Sequence, residues 1–593
     1  MSDSTNSTNS FTRGAQIFMH ALRMMAQGTK VAVLISVFLL ISWLLFRCNQ
    51  KIYLKDCYYL LAERWATIKL SIGSKFYPAN QINITVYDFL SKKIRVMPAL
   101  EFKNRIWQSK AGLRIGSWWE WVTNYAAIES GVVFSLGLVL SYTFFVFRGR
   151  ATMEKKKTRG GELISSRALS KRLKKASCAL DITIGGLPLV KNSERQHILV
   201  TGTTGTGKTN MIHEIIPQLK KRGDRAIIVD VNGSFIGAYC DQNKDLILNP
   251  FDKRTVHWLP WADCKENYDY DALAKALIGE DSHHESFWDD SAEKILAEAL
   301  KFSKEQRSLA ALLYILNQAP LETYSEFFKN TIVASLTAKE GDKTITSIRA
   351  SLNNKIKPLS HLLETADPFS LKKYVLSDQK EWLYITAMPI QRQSLSPLLA
   401  TWIEIILQGL MMRDITKKTN NLWIIIDELP ALGKVPSLKI ALAEARKYGG
   451  CLIAGIQNIH QLKNIYGRDE AHDLLDQFNS RFIFRVGDQE TAQITANMLG
   501  EQESREAEES LSYGANTVRD GVNISTVERR NLLVIPTEIM NLPDLSCYVK
   551  LAGNWPVTNV KLKYHKRDYT TKIFEGLCTN QIDKPDMAAN NSV

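Results

Sequence analysis

Residues 197–209 read His-Ile-Leu-Val-Thr-Gly-Thr-Thr-Gly-Thr-Gly-Lys-Thr, which puts Gly202, Gly207, Lys208 and Thr209 at the spacing G-x-x-x-x-G-K-[ST]. Glycines in such a loop turn bare backbone N–H groups toward an anion, and a helix beginning at its end adds a positive pole. The run Gly202, Thr203, Thr204, Gly205, Thr206, Gly207 is therefore expected to cradle the phosphates of ATP. Lys208 would reach the β and γ groups, and Thr209 would hold Mg²⁺. A second constellation, Asp427 and Glu428, closes the apolar run Leu422-Trp423-Ile424-Ile425-Ile426. A central parallel strand reads as such a run and delivers its terminal residues to the edge where α/β sheets bind ligands. Asp427 is expected to hold Mg²⁺ through water, and Glu428 to orient and deprotonate an attacking water. A simple nucleotide kinase has no need of that second acid, so the pair points to hydrolysis coupled to work.

These side chains need a scaffold that joins position 208 to position 427, 219 residues further on. Ile198-Leu199-Val200 is a short apolar strand, and Met211, Ile212, Ile215, Ile216 and Leu219 share one face of a helix that Gly223 ends. Further strand-like runs fall at 226–230, 246–248, 383–387, 451–456 and 481–486, with helical segments between them. The alternation predicts an α/β, doubly wound nucleotide-binding domain over 177–265 and 369–575. Strand signals fade across 266–368, where 292–302, 308–316, 321–336 and 345–352 read as helices, so an all-α insertion is expected there. Arg481 and Arg485, two residues apart twice over, are expected on one face of a strand.

Two runs lack charge altogether, 31–46 and 130–147. At 1.5 Å per residue they reach ~24–27 Å, slightly under the ~30 Å hydrocarbon thickness, and interfacial flanks extend them. They predict a transmembrane hairpin over 31–147. Arg13, Arg23 and Lys30 precede the first span and a basic run from Arg148 to Arg159 follows the second. Both ends are thus expected in the cytoplasm, with residues 1–30 as a cytoplasmic N-terminus and a loop at 47–129 on the far side. Cys48 and Cys57 lie in that loop and could form a bridge. The chain has eight cysteines and no C-x-x-C pair, which excludes a disulfide scaffold and gives no zinc site. His283 and His284 read as loop or helix-cap residues.

The whole chain of 593 residues, 45% hydrophobic and 23% charged, is neither disordered nor collagen-like. Its net charge of +14 is unevenly placed: residues 1–193 hold 28 Lys and Arg against 10 Asp and Glu, and the remainder holds 47 against 51. The bulk is therefore not a basic DNA-coating surface, and a DNA site there would have to be a focused channel. The linker 148–176 carries eleven basic residues and two acidic ones. Contact with anionic lipid headgroups explains it more simply than a collar around DNA.

A two-span anchor followed by a RecA-like P-loop motor with a helical insertion resembles the type IV coupling proteins of conjugation and secretion, in their F-plasmid TraD branch. The resemblance rests on Asp181-Ile182-Thr183-Ile184-Gly185-Gly186-Leu187-Pro188, Asp230-Val231-Asn232-Gly233-Ser234-Phe235, Asn249-Pro250-Phe251-Asp252, Ser286-Phe287-Trp288 and Ser347-Ile348-Arg349-Ala350. Downstream it rests on Asp427-Glu428-Leu429-Pro430, Glu444-Ala445-Arg446-Lys447-Tyr448-Gly449-Gly450, Gly455-Ile456-Gln457, Ser512-Tyr513-Gly514-Ala515 and Val518-Arg519-Asp520-Gly521-Val522. It implies an inner-membrane ATPase that assembles as a homo-hexamer, binds single- and double-stranded DNA, receives the relaxase-bound strand from the relaxosome and passes it to the secretion channel. It further implies that Arg446 is an arginine finger completing a neighbour's site; the alternative from the residues alone is a surface arginine on the helix after the acid strand. Gln457 would sense the γ-phosphate or make a strand-end hydrogen bond. Phe287 and Trp288 would stack on DNA or pack the insertion. The long acidic tail of the F-type branch has no counterpart in 576–593, so tail-mediated docking is not expected. An FtsK-like DNA translocase and a docking receptor using ATP as a structural switch are the competing expectations.

Overall fold

The computed structural model describes residues 3–153, 156–279, 286–338, 342–416, 420–512 and 521–577. His283, His284, most of 512–522 and the tail beyond 577 lie outside the described residues. The chain divides into two compact units, 1–156 with 505–527, and 157–504 with 528–593.

In the first unit, helices Asp3–Lys51 and Ala126–Met153 pack side by side. Their segments Met25–Lys51 and Ala126–Arg148 are long and apolar enough to cross a membrane. Arg47 donates to both carboxylate oxygens of Glu129 at 3.0 and 3.1 Å, and Trp121 Nε1 donates to the same carboxylate at 3.2 Å. The apolar helices are thereby tied at one end. Between them helix Leu54–Gly73, the antiparallel hairpin Asn83–Asp88/Lys93–Pro98 and helices Ala99–Gln108 and Lys110–Asn124 close around Ala66, Ile84, Val86, Ala99, Phe102 and Ile106. Buried Asp56 pairs with Arg114 across this cap at 2.7 Å. Cys48 and Cys57 are free thiols.

In the second unit, ten strands form one sheet. Their order is Leu163–Ser165, Val557–Lys561, Ser546–Lys550, Ser480–Ile483, Ile198–Thr201, Gly450–Ile456, Leu422–Ile426, Arg225–Asp230, Leu383–Thr386, Leu246–Leu248. From Ser480–Ile483 onward all pairs are parallel, while Ser546–Lys550 lies antiparallel on the first of them. The inner strands are buried at every residue, which is why they read as continuous apolar runs. The acid-bearing strand Leu422–Ile426 does not neighbour the phosphate-loop strand; Gly450–Ile456 lies between them. That insertion needs Gly455, because a Cβ there would stand 2.0 Å from the carbonyl oxygen of Asp427.

Two expectations need correction. The strand at 481–486 stops at Ile483, because the chain turns there to present the Arg485 carbonyl to Thr203 N–H at 2.9 Å. Arg481 and Arg485 consequently do not share a strand face. The helix expected over 321–336 ends at Phe328, whose carbonyl is taken by the Thr331 hydroxyl at 2.8 Å, and a single turn re-forms at Ala334–Leu336.

Between strands Leu246–Leu248 and Leu383–Thr386 the described elements are helical, chiefly Asn267–Ile278, Ser286–Phe302, Leu309–Leu313, Leu321–Phe328, Asp342–Ile356 and Leu371–Leu376. Arg349 ties this segment together, donating to the carbonyls of Leu316 and Ala319 and lying over the Tyr324 ring. Trp288 packs partly against the core, and Phe287 beside it is 48% exposed. A third long apolar helix, Arg392–Met411, is packed into the core by Leu395, Leu398, Leu399, Trp402, Ile403 and Ile406, so its composition reflects burial within protein.

Candidate active site

The phosphate loop leaves strand Ile198–Thr201 at its C-terminal end and enters helix Lys208–Arg222. Gly205 and Gly207 take positive φ of 80° and 120°, conformations that glycine adopts without the strain a side chain would impose. The loop is pinned from two sides: Gly202 N–H donates to Ile456 O at 3.1 Å, and Leu545 N–H donates to Thr206 O at 2.8 Å. The Lys208 ammonium is folded back onto the carbonyls of Gly202 and Thr203. Burial pulls its pKa down, opposed by the charges of Glu428 and Asp427.

The order of the strands assembles the rest. Leu422–Ile426 and Gly450–Ile456 end at the same edge as the phosphate loop, setting Asp427 and Glu428 on one side and Gln457 between them and the loop. Thr209 Oγ1 donates to the Asp427 carboxylate at 3.3 Å, so the two expected Mg²⁺ partners touch. Gln457 Nε2 donates to Glu428 Oε2 at 2.7 Å, and its Oε1 accepts from Thr204 Oγ1 at 3.3 Å. The other oxygen of Glu428 is buried without a partner. Burial raises the pKa of both Asp427 and Glu428, the first partly offset by Lys208 and the second by its Gln457 hydrogen bond.

Arg446 is elsewhere. It is exposed in the turn Ala445–Tyr448, which precedes strand Gly450–Ile456 and so lies at the opposite edge of the sheet, about 20 Å away at strand rise. Arg481 spends its guanidinium on the carbonyls of Leu475 and Phe478, an anchoring role for the preceding helix. Arg485 pairs with Asp544 at 2.7 Å, and its backbone carbonyl holds the Thr203 hydroxyl at 3.2 Å.

Two side chains at the site had no expected role. Asn232 Nδ2 donates to Asp427 Oδ2 at 3.4 Å, and Arg392 Nη2 donates to Val231 O and Asn232 Oδ1, both at 3.1 Å. Arg392 also lines an open cavity of about 360 Å³ with Glu428, Gln457, Gln461 and Asn464. Asn232 stood within a quoted motif; Arg392 stood in none, because only the strand order brings its helix to this edge.

Over residues 181–563 the sequence matches the type IV secretion-system coupling protein DNA-binding domain. It is 36% identical to the coupling protein TraD of Escherichia coli K12 over 441 residues, 72% of this chain and 61% of TraD. It is 22% identical to VirD4 of Agrobacterium fabrum over 421 residues, 65% of this chain and 61% of VirD4. The chain thus spans about three fifths of the length of these relatives. The fold superimposes on the unbound coupling protein TrwBdeltaN70 with a TM-score of 0.64 at 29% identity, covering 71% of this chain and 96% of that one. TrwB in complex with ADP and Mg²⁺ aligns equally well, at 28% identity with a TM-score of 0.64, over 72% of this chain and 98% of that one. Sequence, fold and the arrangement of the phosphate loop against two acids agree, and the chain belongs to the type IV secretion-system coupling protein family.

Proposed function

We propose that this chain is an inner-membrane ATPase of a conjugative type IV secretion system, a hexameric motor that links the relaxosome to the secretion channel and moves single-stranded DNA. The observation that carries the reading is the bridge from Thr204 through Gln457 to Glu428: a phosphate loop hydrogen-bonded to a general base is built for hydrolysis. The residues fit a Mg²⁺-bound nucleoside triphosphate. The loop geometry leaves N–H groups free for phosphate, the Thr209–Asp427 pair is a hard-oxygen donor set suited to Mg²⁺, and the orphaned Glu428 oxygen lacks the proton donor that an attacking water would supply. Solved structures of TrwB with ADPNP and with ADP and Mg²⁺ support the same nucleotide.

Thr209 and Asp427 would hold the ion, which when bound neutralises charge on the phosphate oxygens. Lys208 offsets phosphate charge from inside the loop. Glu428 takes the proton of the attacking water at its free oxygen, while Gln457 fixes the carboxylate by the other. Arg446, exposed at the far edge of its own sheet, acts on a neighbour's site in the ring.

The apolar segments Met25–Lys51 and Ala126–Arg148 form the two membrane spans, with both termini cytoplasmic and 47–129 as a small periplasmic cap. Residues 148–176 form a basic juxtamembrane linker, 177–265 and 369–575 the RecA-like motor, 266–368 an all-α domain, and 576–593 a short tail. The experiment is Glu428→Gln. ATP binding should persist, because the phosphate contacts remain, while hydrolysis falls by about 100-fold or more. Wild-type turnover by this variant at equal oligomer content would overturn the assignment.

A further inference from the structure

Arg392 is the first residue of helix Arg392–Met411, which starts just beyond the C-terminal end of strand Leu383–Thr386 and so at the same sheet edge as the phosphate loop. Both of its hydrogen bonds run through one nitrogen, Nη2, to Val231 O and Asn232 Oδ1 at 3.1 Å. Its Nε is buried with no hydrogen-bond partner. Among the described residues it forms no ion pair. A guanidinium is planar and carries five N–H donors, so a single occupied nitrogen leaves its bidentate face unused. Donors buried without partners are costly, and they persist where a ligand satisfies them.

The surroundings identify the ligand. Arg392 shares its cavity with Glu428 and Gln457, and Glu428 Oε1 is likewise buried without a partner. The cation and its hydrogen-bonded relay reach the Mg²⁺ pair: Arg392 holds Asn232, Asn232 donates to Asp427, and Thr209 donates to Asp427. Arg392 and Glu428 line one cavity, and each carries an unsatisfied polar atom, a donor on the first and an acceptor on the second; the pair suits an anion that brings a water with it. In a phosphate-loop site that anion is the terminal phosphate.

Resting on the ATP reading above, we propose that Arg392 is the same-subunit contact for the terminal phosphate, exchanging Val231 O and Asn232 Oδ1 for phosphate oxygens and so distinguishing triphosphate from diphosphate. Arg446 cannot do this within its own subunit, since it stands at the opposite sheet edge. The exchange releases the end of strand Arg225–Asp230 from the start of helix Arg392–Met411. That helix packs against helices Asn267–Ile278 and Leu371–Leu376, so the helical segment receives the signal.

The test measures affinity of the full-length, detergent-solubilised protein for AMP-PNP and for ADP, each with Mg²⁺. Arg392→Ala should weaken AMP-PNP by about 10- to 100-fold, the worth of a charge-assisted hydrogen bond, and leave ADP within about twofold. Arg392→Lys keeps the charge without the fork, should recover part of the loss, and serves as the readout if the alanine variant does not fold. Equal loss for both nucleotides would mean that Arg392 merely braces Asn232 and Asp427, and would overturn the proposal. Unchanged preference in either folded variant would overturn it as well. Failure of the wild-type protein to bind both nucleotides would overturn the ATP reading and this proposal together, whereas normal wild-type binding with unaltered selectivity in the variants removes this proposal alone.

Discussion

Gln457 joins the phosphate loop to the carboxylate of Glu428. Its amide spans from Thr204 in the phosphate loop to Glu428, using its acceptor on one and its donor on the other. Removing it leaves both Glu428 oxygens without a hydrogen-bond partner, free to swing out of the geometry that proton transfer needs. Gln457→Ala should therefore lower kcat by about 100-fold with little change in nucleotide KM. Steady-state kinetics decide it, since a rise in KM with unchanged kcat would make Gln457 a binding residue instead. Lys208 contributes differently: folded onto loop carbonyls, it is satisfied now and available later.

At the scale of elements, His197 holds the phosphate-loop strand in register with its neighbours. Leu452 N–H donates to Nδ1 at 3.2 Å, which leaves Nε2 to carry the proton and donate to Leu442 O at 2.8 Å. The ring is 2% exposed, and burial pulls its pKa from 6.5 down to about 4, resisted by the Leu442 carbonyl. Between these values the unfolded chain binds a proton that the folded chain refuses. Stability is therefore full above pH 6.5 and falls by about 3 kcal/mol from this residue as pH drops through about 4. His213, also shifted to about 4 by burial and by Arg567, adds to the same window. Thermal unfolding of the wild type and of His197→Gln across pH 4–7 checks this. The variant should be less stable at pH 7 and lose part of the acid dependence, and parallel curves would refute it.

For the whole molecule, the ring proposed above makes activity depend on assembly through the position of Arg446. An exposed arginine one strand length from its own Glu428 cannot serve that site, so the finger role proposed for it needs a second subunit. Mixing Lys208→Ala with Arg446→Ala chains should restore part of the turnover that each lacks alone, because some interfaces pair an intact phosphate loop with an intact finger. Activity of mixed rings that merely averages the two variants would refute a trans role. The charge distribution belongs to the same scale. With the basic excess confined to residues 1–193, the proposed motor would contact DNA by gathering copies of a few lysines and arginines around a channel.

The phosphate-loop motif and the α/β class were legible in the amino-acid order because both are local. Phosphate cradling needs glycines and a lysine at fixed spacing along one loop, and a strand buried on both faces must be apolar throughout, as Leu422–Ile426 is. The two apolar helices were legible for the same reason: a stretch that must meet lipid or core on all sides cannot carry charge. What the tertiary structure alone decided were relations between distant segments. Periodicity marked Gly450–Ile456 as a strand yet could not say that it separates the phosphate loop from the acids, and that order alone brings Gln457 to Glu428. It also carries Arg392 to the cavity and Arg446 away from it, and it sets Arg481 against helix carbonyls where spacing had paired it with Arg485. Helix Arg392–Met411 makes the point most directly. By composition it qualifies as a membrane span, and only its neighbours make it core. Hydrophobicity along a chain specifies that a segment leaves water, and packing with the rest of the chain specifies where it goes.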